Sequence, residues 1–112
     1  MKKKVLGLEM EKEFEGLKVK MTPVPRLILM RLMSPYDLSQ SEDVAALGAD
    51  LTPLCVTDIE GLETSFQMTK VGKKTRRVVS DETFEQIGFG PLAEIMAWVV
   101  TSHFLDETER GN

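Results

Sequence analysis

Residues 66–92 run Phe66-Gln67-Met68-Thr69-Lys70-Val71-Gly72-Lys73-Lys74-Thr75-Arg76-Arg77-Val78-Val79-Ser80-Asp81-Glu82-Thr83-Phe84-Glu85-Gln86-Ile87-Gly88-Phe89-Gly90-Pro91-Leu92, and within them the structural type changes. Phe66–Thr69 and Thr75–Val79 favour extended backbone and flank Gly72, which predicts a β-hairpin. Ser80 then caps a short helix over Asp81–Ile87, with Asp81 and Glu82 complementing its N-terminal partial charge. Gly88-Phe89-Gly90-Pro91 breaks the chain again, and Pro91 opens a last helix reaching about Leu105. On that helix Leu92, Ile95, Met96, Val99 and His103 share one face, and Trp98, Val100 and Phe104 lie on others. A hairpin followed by helices makes this an α+β chain.

Upstream, Leu17, Val19 and Met21 alternate with Lys18 and Lys20, the period of a half-buried strand. Thr22-Pro23-Val24-Pro25 stops it, because proline donates no ladder hydrogen bond. Pro25 starts a helix to about Met33, in which only Arg26 and Arg31 are polar, and Ser34-Pro35 ends it. Ser39 and Glu42 have capping-box spacing, so a second helix begins near Gln40, with Val44, Leu47, Leu51, Leu54 and Cys55 along one face. Pro53 kinks or restarts it, and Asp58–Gly61 reads as a turn. Residues 1–16 carry Glu9, Glu11, Glu13 and Glu15 with little apolar surface, and read as a mobile or peripheral charged arm, or a strand that orders only against a partner.

The expected architecture is therefore α+β and mainly helical, with three to four helices, a short N-terminal strand and a β-hairpin. It forms one globular domain over 17–105, followed by a disordered acidic tail over 106–112. The 112 residues suit a single core, and 42% hydrophobic content excludes a disordered chain. A net charge of −4 argues against a dedicated nucleic-acid binder. One cysteine, Cys55, excludes an internal disulfide, and no signal or membrane-spanning segment is read, so a cytoplasmic location is expected.

Little in the sequence suggests catalysis. His103 is the only histidine and sits in an apolar helix; Cys55 reads as a small buried hydrophobe. No zinc-site, nucleotide-loop or hydrolase motif occurs, so no metal, no cofactor and no catalytic residue is expected. Lys70, Lys73, Lys74, Arg76 and Arg77 put five positive charges into eight residues. A solvated hairpin tip is the plain reading of this cluster; an acidic protein partner, or phosphate contact as a nucleic-acid-binding accessory protein, is the alternative. The two over-apolar helices nominate Leu27, Ile28, Met30, Met33, Leu92, Met96 and Trp98 as partner-binding residues. The same surplus predicts a homo-oligomer with Trp98 at or beside the contact.

The order of elements resembles the tail assembly chaperones of long-tailed phages and prophages. The resemblance rests on Leu54-Cys55-Val56-Thr57-Asp58-Ile59-Glu60-Gly61, similar to the family's helix end leading into an acidic turn. It rests also on Val79–Ile87 and on Phe89-Gly90-Pro91-Leu92-Ala93-Glu94-Ile95, like the family's short helix followed by a long one. Membership would imply a non-enzymatic protein of the bacterial host cytoplasm that binds the tape-measure protein, keeps it soluble and recruits tail-tube subunits. Self-association, and in some members a longer frameshifted product, are also implied by the resemblance.

Overall fold

A computed structural model of the chain describes residues 9–104. Its order is β1 (Met10–Phe14), β2 (Leu17–Met21), α1 (Arg26–Met33), α2 (Ser41–Cys55), β3 (Val56–Glu60), β4 (Phe66–Val71), β5 (Lys74–Val79), α3 (Asp81–Phe84) and α4 (Phe89–Phe104). The described residues fold as one compact domain, 45% helical and 28% strand. It is thus an α+β domain, and the expectation that helix would dominate is corrected by two strands the sequence reading did not assign.

The first is β1. The expected arm over 1–16 is in part a strand paired antiparallel with β2, from Met10↔Met21 to Phe14↔Leu17. Its acidic residues Glu11 and Glu13 do not prevent pairing because they alternate with Lys12 and Phe14, so both reach one face. On that outward face Glu13 lies beside Lys18 and Lys18 beside Glu60, while Glu11 lies beside Lys20 and Lys20 beside Asp58. Two acid–lysine–acid rows therefore cross the sheet, with Lys18 also 3.5 Å from Glu11 on the diagonal. Opposite charges at adjacent cross-strand positions each favour the register by about 0.2–1 kcal/mol. The inward face contributes Phe14, Val19 and Met21 to the core. Glu15 and Gly16 close the hairpin with positive φ values of 48° and 87°, the type I′ geometry that suits the strand twist. Residues 1–8 and the tail expected over 106–112 lie outside the described residues.

The second unassigned strand is β3, which pairs with β2 on the side away from β1. Asp58 and Glu60, read as a turn from sequence, are its outward-facing residues, and Val56 and Ile59 are buried. The segment Leu54–Gly61 is accordingly the end of α2 joined directly to a strand, not a helix end running into a turn. Gly61 has φ 115°, and a Cβ there would stand 2.7 Å from the Gly16 carbonyl oxygen, so the end of β3 abuts the β1–β2 turn.

Three expected elements are present, with changes at their ends. The hairpin β4–β5 turns at Gly72 (φ 65°) with Val71 opposite Lys74. The short helix α3 follows Ser80 but ends at Phe84 rather than Ile87, and the Ser80 hydroxyl pairs with Ser65 instead of capping it. Helix α1 follows Pro25, which stands just outside the helix rather than at its first position. The capping box does not form. Ser39 donates its hydroxyl to Asp37 at 2.7 Å instead, which lowers the Asp37 carboxyl below its ordinary range, and α2 begins without a side-chain cap. Phe89 and Gly90 are helical, with Pro91 in the first turn of α4.

α2 and α4 run side by side in the same direction. A Cβ at Gly48 would stand 3.3 Å from the Met96 Cβ, and Cys55 lies against His103 seven residues further along each helix. Leu47, Leu51 and Cys55 from α2, with Ile95 and Val99 from α4, make the centre of the core. The inner faces of the three-stranded sheet and of the hairpin close over it.

Candidate partner-binding groove

The C-terminal ends of α2 and α4 are sealed. His103, buried, places Nδ1 2.7 Å from the Val99 carbonyl oxygen and Nε2 3.1 Å from the Val24 backbone nitrogen. This assigns the proton to Nδ1, which donates to Val99, while Nε2 accepts from the Val24 N–H. The ring joins the last turn of α4 to the segment entering α1, a link across 79 positions of sequence. Cys55 Sγ lies 3.7 Å from the same Nε2. A thiol beside an imidazole has the composition of a nucleophile and its base. Here burial pushes the thiol up to about 12, and Nε2 already holds another proton donor. The pair is packed as a core contact.

Arg76 completes this corner. Its guanidinium donates to the carbonyl oxygens of Thr22 at 2.7 Å, Leu54 at 3.0 Å and Pro23 at 3.3 Å. The Thr22 N–H donates to the Cys55 carbonyl at 2.8 Å. Two terminal carbonyls of α2, which no intrahelical donor can reach, are thereby satisfied as the chain passes into β3. Sequence reading missed this role because Arg76 sits among four other cations, and its partners lie 22–54 positions away. Arg77 is also engaged, its guanidinium carbon 3.7 Å from the centre of the Phe66 ring. The basic hairpin is therefore divided. Arg76 serves the fold, Arg77 lies over Phe66 while still exposed, and Lys70, Lys73 and Lys74 are exposed.

The N-terminal halves of the same two helices do not close. Between them lies a groove of about 270 Å³ bordered by Val44, Ala45, Gly48, Leu92, Ala93 and Met96, with Phe89 at its rim. Gly48, Ala45 and Ala93 keep its floor shallow-sided and apolar, and Leu92 and Met96 form one wall. Phe89 is 88% exposed, which sequence reading missed because it placed the residue in a helix-breaking stretch.

The residues nominated from sequence separate in the same way. Leu92 and Met96 border the groove. Leu27 and Met30 stand on the outer face of α1, 68% and 63% exposed. Ile28 and Met33 turn inward against the core. Trp98 also packs inward, its ring 5.4 Å from that of Phe14 and tilted by 58°, so its apolar surface is partly spent within the chain. The groove and the α1 face are separate places, and no single site unites the seven residues. Among the described residues no group of three or more His, Cys, Asp or Glu could hold a metal ion, and no helix is long and apolar enough to cross a membrane. Comparison with protein-family models, characterised proteins and solved structures finds no match for the chain.

Proposed function

We propose that the chain is a non-enzymatic binding protein that shelters an apolar helical segment of a larger partner, in the manner of a phage tail assembly chaperone acting on its tape-measure protein. The observation that supports this is the open groove between the first halves of α2 and α4, with Phe89 standing at its edge. A groove with small residues on its floor and Met96 and Leu92 on its wall suits the apolar stripe of an amphipathic helix. Methionine adapts its shape to different side chains at low cost, which favours tolerance over strict sequence choice. The succession of a short α3 and a long α4 after Val79 also fits the resemblance. In this reading the protein works in the host cytoplasm, self-associates, and brings tail-tube subunits to the tape-measure protein.

The test is co-expression with a phage tape-measure protein whose gene neighbours that of this chain, and the presence of such a gene is itself a requirement of the proposal. The wild-type chain is expected to keep that protein soluble. Ala93→Arg, which fills the groove from an exposed position, is expected to abolish the rescue without unfolding the chain. Absence of rescue by the wild-type chain overturns the proposal.

A further inference from the structure

The exposed face of α1 differs in kind from the groove. Arg26, Leu27, Met30 and Arg31 fall within a half-turn of one another on the helical wheel, and all four are exposed. A soluble helix ordinarily shows water a polar face; this one shows two guanidinium groups bracketing two large apolar side chains. The β4–β5 turn comes up against the same helix. A Cβ at Gly72 would lie 3.1 Å from Ile28 Cδ1, and this contact brings the exposed Lys73 and Lys74 beside α1. No acidic residue occurs from 16 to 36 or from 64 to 80, although the whole chain has 18 acidic against 14 basic residues. The charged side chains that α1 and the β4–β5 hairpin themselves present are therefore all positive, in a protein that is negative overall, and Leu27 and Met30 between them are exposed.

We infer that the outer face of α1, together with the β4–β5 turn, is a docking surface for an acidic amphipathic helix of another protein. Carboxylates of that helix reach Arg26, Arg31, Lys73 and Lys74, and its apolar stripe covers Leu27 and Met30. Charge complementarity gives the association its rate and orientation, and the apolar centre holds it. Nucleic acid fits less well, because the side chains between the cations are aliphatic or thioether and offer no ring on which a base can stack. The surface lies apart from the groove, and its occupant does not depend on what fills the groove.

The probe is a fluorescein-labelled peptide of Leu, Glu and Ala with its leucines on one helical stripe, titrated with the full chain and read by anisotropy. Binding is expected, weakening as salt rises. Arg26→Glu with Arg31→Glu is expected to weaken it about tenfold or more, and Leu27→Ser with Met30→Ser by a similar factor. These positions are exposed, so the far-UV spectrum of each variant stays that of the parent. Phe89→Ser in the groove is expected to lower binding by less than either paired variant does. The inference is overturned if the wild-type chain does not bind, or if a scrambled peptide of the same composition binds equally. It is also overturned if both paired variants bind normally, or if Phe89→Ser abolishes binding. Tighter binding to a duplex oligonucleotide, or to phosphatidylcholine vesicles containing phosphatidylserine, likewise overturns it.

Discussion

The two ends of the α2–α4 pair are made from the same helices and meet opposite requirements. At the C-terminal end Cys55, His103 and the ends of the backbone are buried, and polar atoms are matched across long sequence distances through Arg76, Thr22 and Val24. At the N-terminal end Val44, Leu92 and Met96 border a groove that no described residue fills. The difference lies in which cost the fold must avoid. A buried carbonyl or N–H without a partner costs about 1–3 kcal/mol, so the closed end recruits the Arg76 side chain and the backbone of Thr22–Val24. An exposed apolar side chain forgoes a gain of about 1.5–3 kcal/mol, which a folded domain tolerates and a binding partner recovers.

If that contrast is right, substitutions at the closed end damage stability and those at the open end do not. His103→Ala is expected to be the most severe, at about 3–4 kcal/mol, since it opens a cavity and leaves the Val24 N–H buried without an acceptor. The urea midpoint should fall sharply; a change under about 1 kcal/mol would mean the corner is not the anchor described. Arg76→Met should cost about 2 kcal/mol by stranding the carbonyls of Thr22 and Leu54, and Arg76→Lys should not restore it, because an ammonium cannot reproduce the fork. A normal midpoint for Arg76→Met would return Arg76 to the solvated hairpin.

Cys55 sharpens the comparison through pH. Its thiol is raised from an ordinary value of 9.0 to about 12 in the folded chain. The unfolded chain therefore loses that proton first, and the contribution of Cys55 to stability should be constant below about pH 9. Above that it should fall by up to about 1.4 kcal/mol per pH unit, a loss continuing to about pH 12. Cys55→Ala should remove this alkaline slope, and a slope that persists in the variant would assign it elsewhere. Native Cys55 should also react with a thiol reagent at pH 8 only as fast as the protein opens.

The closed end contains one exception. The buried Thr52 hydroxyl has no hydrogen-bond partner among the described residues. Thr52→Val keeps the shape and removes the stranded group, so a gain of about 1 kcal/mol is expected; a loss would reveal a bridging water. At the open end Phe89→Ser should alter stability by less than about 0.5 kcal/mol while weakening the partner capture proposed for the groove. A large loss of stability would show that Phe89 is covered in solution, by a second copy of the chain. Sedimentation at tens of micromolar distinguishes these outcomes, and it is at Phe89 rather than Trp98 that the uncovered surface is greatest.

Elements whose signals are local were legible in the sequence. Pro25 and Ser34-Pro35 bracket α1, the spacing of Leu47, Leu51 and Cys55 outlines α2, and Gly72 marks the hairpin turn. β1 and β3 were not legible, because Glu11, Glu13, Asp58 and Glu60 look like residues of an arm and a turn until the lysines of β2 lie between them. Of the candidate sites, Leu92 and Met96 were anticipated as contact residues; the groove they border was not, since it exists only where two helices run in parallel.

Hydrophobic periodicity and proline or glycine punctuation act over a few residues, so the chain's own sequence determined where most helices, the hairpin and the apolar faces occur. The tertiary structure alone decided which apolar faces are covered. It turned Trp98 onto Phe14 and left Phe89, Leu27 and Met30 in water. It also withdrew Arg76 from a basic cluster to cap α2, and gave each nitrogen of His103 a backbone partner. Burial and hydrogen bonding are properties of pairs brought together in space. A residue's type states what it needs, but only the packed chain determines whether Thr22, Val24 or Phe14 is there to meet it.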